Sequence, residues 1–307
     1  MQWIKKAYAP VGLTQYPVGR HLAALQSRFG SRFYNPTARA RAFGDAIARD
    51  VHGNVAGAIG DLCQDGAFDG WKVLLMRNDM PFGKGAMTAI EKKGWKIFET
   101  QSVADCTEKL RSNEFDIFMV LSNVSHISPL PSAAQSAEWL KAIKAFHKSG
   151  RGVLIAADNE PYTFQANFIL QAIFGVTVKG DTPGGGNLSP GDPSKNGHFD
   201  ANNHLITAGI EKQIYEGVTI CYPTNLDWRW TVFGMSSDGF PVFASTSDDY
   251  SGASADKPGR IVIDCGFTKF YDGYFEEGAA TNRYLSNAFT WLGNVERFQE
   301  PSVQRKK

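Results

Sequence analysis

The sequence predicts an α/β fold, a mainly parallel sheet with helices on both faces, preceded by an N-terminal arm. From Trp71 onward, short β-rich apolar runs alternate with stretches whose apolar spacing suits a helix, the order that builds parallel sheets. The chain has 307 residues, of which 43% are hydrophobic and 21% charged, with a net charge of +1, a balance that excludes a disordered chain. Its longest apolar runs, such as Ile117 to Leu121 and Val153 to Ala157, fall far below the roughly 18 residues of a membrane helix, so no membrane span is expected.

The elements follow in order. Trp71 to Met76 (WKVLLM) reads as a strand, and Ala86 to Lys93 as a helix after a Pro/Gly break. Trp95 to Glu99, Phe115 to Ser122 and Val153 to Asp158 repeat the strand pattern. Val103 to Ser112, Ser132 to Lys148 and Tyr162 to Phe174 repeat the helical one. In the Ser132 helix, Trp139, Leu140, Ile143, Phe146 and His147 share one side, with Ser132 as cap and Gly150 past the end. After Gly175 the alternation stops. Asp181 to Asn203 is dense in Gly, Pro, Asn and Asp and reads as a long excursion rather than a buried element. Tyr215 to Cys221, Thr231 to Met235 and Val242 to Ser245 are expected to add an antiparallel edge. Arg260 to Cys265 (RIVIDC) returns to a buried-strand pattern, and Asn282 to Leu292 closes the fold as a helix. The expected organisation is an arm or helical extension over 1–70, an α/β domain over 71–293 and a tail over 294–307.

The arm has its own character. No acidic residue precedes Asp45, while Lys5, Lys6, Arg20, Arg28, Arg32, Arg39 and Arg41 are basic, leaving 25 of the 32 basic residues against all 31 acidic ones elsewhere. Aromatics including Trp3 and Phe33 are interleaved with these charges. Such a mixture serves docking on a second copy of the chain, giving a homo-oligomer or larger assembly; phosphate pairing and base stacking on a nucleic acid is the competing use. Cys63, Cys106, Cys221 and Cys265 lie far apart with no CxxC pair, which fits reduced thiols. The start lacks the layout of a secretory signal, so a cytoplasmic location is expected.

Phe115 to Pro161, running from FDIFMVLSNVSHI through an amphipathic helix to FHKSGRGVLIAADNEP, resembles the core of class I glutamine-amidotransferase-like domains, especially their ThuA-like and other non-amidotransferase branches. Asn202 to Ile210 (NNHLITAGI) is similar to the HPIT-GL stretch of ThuA-like members, and Gly259 to Thr268 (GRIVIDCGFT) to their late strand. The resemblance spans about residues 71 to 293 and implies a flavodoxin-like, amidotransferase-like fold. A catalytic amidotransferase carries Cys in a G-x-C-x-G elbow after this strand. Here the tip reads Ala156-Ala157-Asp158-Asn159-Glu160, no cysteine lies there, and no later His-Pro-Glu follows. Glutaminase chemistry is therefore not expected.

Ligands of open parallel sheets bind beyond the carboxyl ends of the strands. Those ends carry Asn78, Asp79, Ser122, Asn123, Asp158 and Asn159, with Glu160 and Asp264 close by. Asp158, Glu160, His126 and His204 are the acid–base candidates, since a pair of imidazoles beside a carboxylate makes a metal or proton-transfer site. The competing reading has Asp158 and Asn159 capping a helix whose first turn starts with Pro161, Asp79 in a turn, and both histidines hydrogen-bonded outside any site. Ser122 sits in no G-x-S-x-G elbow. No DxD or EF-hand spacing is present, so neither a metal nor another cofactor is expected. Gly184-Gly185-Gly186 lacks the Lys-Ser/Thr of a P-loop and reads as a flexible loop. Trp228 and Trp230 alternate on one face of an expected strand, as core or interface packing or as a stacking platform.

Three functions remain open on these residues. The chain is read first as a non-catalytic amidotransferase-like domain serving as a binding or self-assembly module. The alternatives are a hydrolase or metal-assisted enzyme on a small polar substrate such as a carbohydrate, and a nucleic-acid-associated protein held by the arm.

Overall fold

The computed structural model describes residues 49, 54, 61–63, 65–78, 82–126, 131–183, 186–201, 204–252, 256–275 and 280–294. The arm residues from Trp3 to Arg41, Asp79, Gly184 and Gly185 lie outside the described residues. The helices are α1 (Lys84–Glu91), α2 (Val103–Arg111), α3 (Ala133–Lys148), α4 (Phe164–Phe174) and α5 (Thr281–Leu292). The strands are β1 (Lys72–Met76), β2 (Lys96–Thr100), β3 (Ile117–Ser122), β4 (Gly152–Ala157), β5 (Thr177–Pro183), β6 (Asn187–Gly191), β7 (His198–Asp200), β8 (Ile214–Tyr215), β9 (Thr219–Thr224), β10 (Trp230–Met235), β11 (Pro241–Thr246) and β12 (Ile261–Asp264).

Ten strands form one sheet in the order β2-β1-β3-β4-β12-β11-β10-β7-β6-β8. The first five are mutually parallel. With β12 in fifth place, they have the strand order of flavodoxin-like folds. α1 packs on α5, while α2 packs on α3 and α3 on α4, so the crossovers cover both faces. That coverage explains the sequence pattern: β3 (IFMVLS) and β4 (GVLIAA) are buried at every residue and need no polar alternation. β11 continues the sheet antiparallel to β12 and β10 antiparallel to β11, the antiparallel edge the sequence predicts.

Ahead of Trp71, Leu62, Cys63, Ala67 and Phe68 are buried, Phe68 stacks on Trp95 with centroids 4.3 Å apart, and Lys93 donates to Asp61 at 2.7 Å. Three expectations change. The excursion holds structure, because β6 and β7 pair in parallel and bury Leu188 and Phe199. Tyr215 to Cys221 is two strands rather than one. Gly217, at φ 136°, turns the chain between β8 in the large sheet and β9, which pairs with β5. Trp228 precedes β10 and is 69% exposed, while Trp230 is buried, so the two do not share a face.

The junction of the two halves carries a buried ion pair. At the end of β12, Asp264 accepts from Lys269 Nζ at 2.6 Å and Tyr284 Oη at 2.8 Å, and all three side chains are fully buried. Lys269 also donates to the Gly266 carbonyl at 2.7 Å. Burial pushes the Lys269 pKa down against the opposing pull of Asp264. Removing one partner of such a pair leaves an uncompensated buried charge. Asp264→Ala is therefore expected to cost about 3–5 kcal/mol in guanidinium unfolding. Adding Lys269→Met should recover part of that loss, because the stranded ammonium goes with it.

Candidate functional site

The order reverses at β1, whose neighbours β2 and β3 lie on opposite sides, and the carboxyl ends of β1, β3 and β4 open on one edge of the sheet. The register Leu121↔Ala156 and Ser122↔Ala157 brings Asn123 and Asp158 level, one residue past their strands. The Asp158 amide closes this end by donating to the Ser122 carbonyl at 3.0 Å.

Asp158 is only 9% exposed, and its Oδ1 accepts the Asn159 amide at 2.8 Å. Burial pushes its pKa up to about 7; the Asn159 amide opposes that rise and Asp181 adds to it. Asn123 is 8% exposed, and neither atom of its side-chain amide has a hydrogen-bond partner. Beyond β12, a 3-10 turn at Phe267–Phe270 delivers Tyr271 to the same edge. Burial raises the Tyr271 pKa most, Asn123 lowers it and Asp158 raises it, which places both beside the phenol. Asn123 and Tyr271 are close without being aligned as a hydrogen bond, so Tyr271 Oη is a buried atom without a partner. Asn78 Nδ2, at the end of β1, is another.

The remaining candidates are bound into the fold. Ser122 Oγ accepts the Ala166 amide at 3.0 Å and donates to the Tyr162 carbonyl at 3.4 Å, so it caps α4 from a neighbouring strand. The capping expected of Asp158 and Asn159 is absent: α4 starts at Phe164, and Asp158 bonds within its own turn. Asn159 Oδ1 accepts from Thr219 Oγ1 at 2.8 Å, and the exposed Glu160 accepts the Gly180 amide at 2.9 Å, tying the loop to β9 and β5. His126 is exposed, with Nδ1 3.1 Å from Ser125 Oγ.

His204 is half-buried, stacked on Phe233 at 4.3 Å, with Nε2 2.8 Å from Ser245 Oγ and Nδ1 accepting the Ile206 amide. Ser245 pairs with Val262 and Val262 with Leu154, four residues short of Asp158. At roughly 3.3 Å per residue that is about 13 Å along the strand. Burial, with Arg260 adding to it, pushes the His204 pKa down to about 3 and keeps the ring neutral. The two histidines and Asp158 therefore do not form one site. Among the described residues no three His, Cys, Asp or Glu side chains converge as metal ligands.

Tyr271 escaped the sequence reading, since nothing in TKFYDGY marks it; an aromatic a few residues past a predicted strand end is the signal that finds it. All four cysteines are buried. Burial pushes the Cys63 and Cys106 thiols up to about 12 and the Cys221 thiol well above its ordinary value. These three are poor nucleophiles in place.

No family model and no curated protein matches the chain. Among solved structures, a candidate GMP synthase component from Thermoplasma acidophilum is 14% identical, with a TM-score of 0.46 over 73% of this chain and 94% of that one. A cytoplasmic protein from Salmonella typhimurium is 10% identical, with a TM-score of 0.40 over 71% of this chain and 98% of that one. An exo-β-1,4-mannosidase from an Opitutaceae bacterium is 9% identical, with a TM-score of 0.39 over 84% of this chain and 43% of that one. These likenesses add nothing to what the strand order already shows. No described helix is long and apolar enough to cross a membrane.

The raised Asp158 pKa carries a pH signature. The folded chain holds this proton more tightly than the unfolded one, so the site costs nothing below the ordinary carboxyl pKa of 3.8 and its full penalty above about 7. Asp158→Asn is expected to match the parent in urea unfolding near pH 4 and to exceed it at pH 8. Equal stability of the two at pH 8 would contradict the burial of this carboxyl.

Proposed function

We propose that this chain is an amidotransferase-like domain that has no glutaminase and uses the carboxyl-end crevice to bind a small polar molecule. The observation that carries the reading is the group at the elbow position: Asp158 replaces a nucleophile there, beside the buried and unpartnered Asn123 amide and Tyr271 hydroxyl. Native structures pair nearly all buried polar groups, so unpaired ones gathered where this fold takes ligands argue for a missing partner. The parallel strand order supports the amidotransferase-like part of the reading, together with the resemblance of Phe115 to Pro161. The basic, aromatic arm before Asp45, opposite in sign to the rest of the chain, supports a further role in self-assembly.

Asp158 titrating near neutrality favours a second reading, an acid–base enzyme acting on a small polar substrate. Ligand binding kept and turnover lost in Asp158→Asn selects the enzyme; binding with no turnover in the parent selects the module.

Two measurements test the proposal. Glutamine hydrolysis should be undetectable in the parent and unchanged in Cys106→Ser and Cys265→Ser; hydrolysis lost in either variant defeats it. Deleting residues 1–44 should leave a folded chain of smaller assembly size in light scattering, because the described elements begin at Lys72. An unfolded truncation would make the arm part of the core.

A further inference from the structure

We infer that the crevice takes an uncharged ligand presenting hydrogen-bond donors and acceptors side by side, as an amide edge does, and turns away phosphates and carboxylates. This rests on the binding reading above and narrows it to one chemical class.

At the ends of β1 and β3 and beyond β12, the groups left without partners, Asn78, Asn123 and Tyr271, are neutral. Asn123 offers one donor group and one acceptor from a single planar amide, both buried and both open. Asn78 adds a donor and Tyr271 a hydroxyl that serves as either. Gln165, fully buried in the first turn of α4, is a second amide with neither atom partnered. An amide-like edge satisfies a side-chain amide through two parallel hydrogen bonds, whereas a carboxylate offers only acceptors and leaves Asn123 Oδ1 unpaired.

The charges near the crevice point the same way. The charge that acts on Asp158 is that of Asp181, and the one that acts on Tyr271 is that of Asp158, so an entering anion meets carboxylates. The nearby cations are already committed, Lys269 to Asp264 and Arg77 to Glu99. The positive helix ends at this edge are filled as well. Asp272 Oδ1 accepts the Gly85 amide at 2.9 Å in the first turn of α1, and Ser122 Oγ accepts the Ala166 amide of α4. The charge of Lys84, at the start of α1, acts on Asp272, and the amides named at these two helix starts are taken, so among these residues a phosphate finds neither of the two devices that hold phosphates in sheets of this kind. Free glutamine, with its own carboxylate and ammonium, is likewise outside the class.

Acetamide, acetate and acetamidinium share one planar shape and differ in charge, and they separate the possibilities. With the full chain ¹⁵N-labelled, the Asn123 side-chain amide signal is identified by its loss in Asn123→Ala, and each probe is titrated against it. Acetamide should shift that signal saturably, and 2-pyrrolidinone, which carries the same edge on a lactam ring, should do so too. Acetate and acetamidinium should bind at least about tenfold more weakly. Tyr271→Phe should weaken acetamide several-fold without lowering the melting temperature, which keeps the test valid should Asn123→Ala fail to fold. Tighter or equal binding of acetate or acetamidinium overturns the inference and leaves the binding reading standing. No response to any of the four probes overturns that reading and the inference with it.

Discussion

The parallel pairing of β12 with β4 holds this molecule together. After β4 the chain leaves the parallel sheet for about a hundred residues, and β12 is the one parallel strand it supplies on its return. The register Ile261↔Val153 through Asp264↔Ala156 fixes that return to the residue, since a one-residue slip turns every side chain to the other face. The register then decides the surroundings of everything that follows. Asp264 arrives at the sheet's carboxyl edge, Lys269 and Tyr284 fold back onto it, and the 3-10 turn that carries Lys269 sets Tyr271 beside Asn123. The close approach extends to the backbone, because a Cβ on Gly266 would stand 1.4 Å from the Glu216 carbonyl oxygen. A glycine is required there for space rather than for its dihedral freedom.

At the carboxyl edge of the sheet, buried polar atoms divide into those that are answered and those that are not. Around β12 each charge is answered: Asp264 by Lys269, Tyr284 and the Gly266 amide, and Glu216 by the Gly186 amide, the Ser237 amide and the Ser237 hydroxyl. His204, despite its titratable ring, is answered on both nitrogens and belongs with the scaffold. A short distance away, at the ends of β1 and β3, Asn78 and Asn123 are not answered. An unpaired buried polar group costs about 1–3 kcal/mol, a cost that a bound molecule with matching groups offsets. The contrast within one edge of one sheet is stronger ground for a site than the identity of any single residue.

The fold was largely legible in the sequence, and the site only in outline. Strands buried on both faces have to be continuous apolar runs, and helices between them have to keep a 3.6-residue stripe, so β1 to β4 and their crossovers announce themselves locally. The excursion did not, because β6 (NLSPG) and β7 (HFD) are made from residues that strands usually avoid and are held by pairing that no local pattern encodes. The site failed to show for a related reason. Asn78, Asn123 and Asp158 could be placed at strand ends from sequence, but the use of Ser122 as a cap depends on contact with Ala166, 44 residues away. Tyr271 depends on a turn beyond β12 with no periodicity to betray it. Sequence placed groups along one edge; only the register separated the satisfied from the unsatisfied.

That separation also accounts for the unusual state of Asp158. A carboxyl at the end of a parallel strand faces the N-terminus of the following helix, whose unpaired amides and positive dipole end normally favour the ionised form. Among the described residues, four of the five helices have one of those amides met by a side-chain oxygen. Asp272 serves α1, Ser102 serves α2, Ser132 with Gln135 serves α3, and Ser122 serves α4. The cap on α4 matters most, because Ser122 reaches from β3 to take the Ala166 amide and leaves Asp158 only the amide of the next residue. One amide does not compensate the loss of water around a nearly buried carboxylate, and Asp181 adds repulsion rather than relief. With a pKa of about 7, that carboxyl keeps its proton in part of the molecules at neutral pH and carries a charge in the rest.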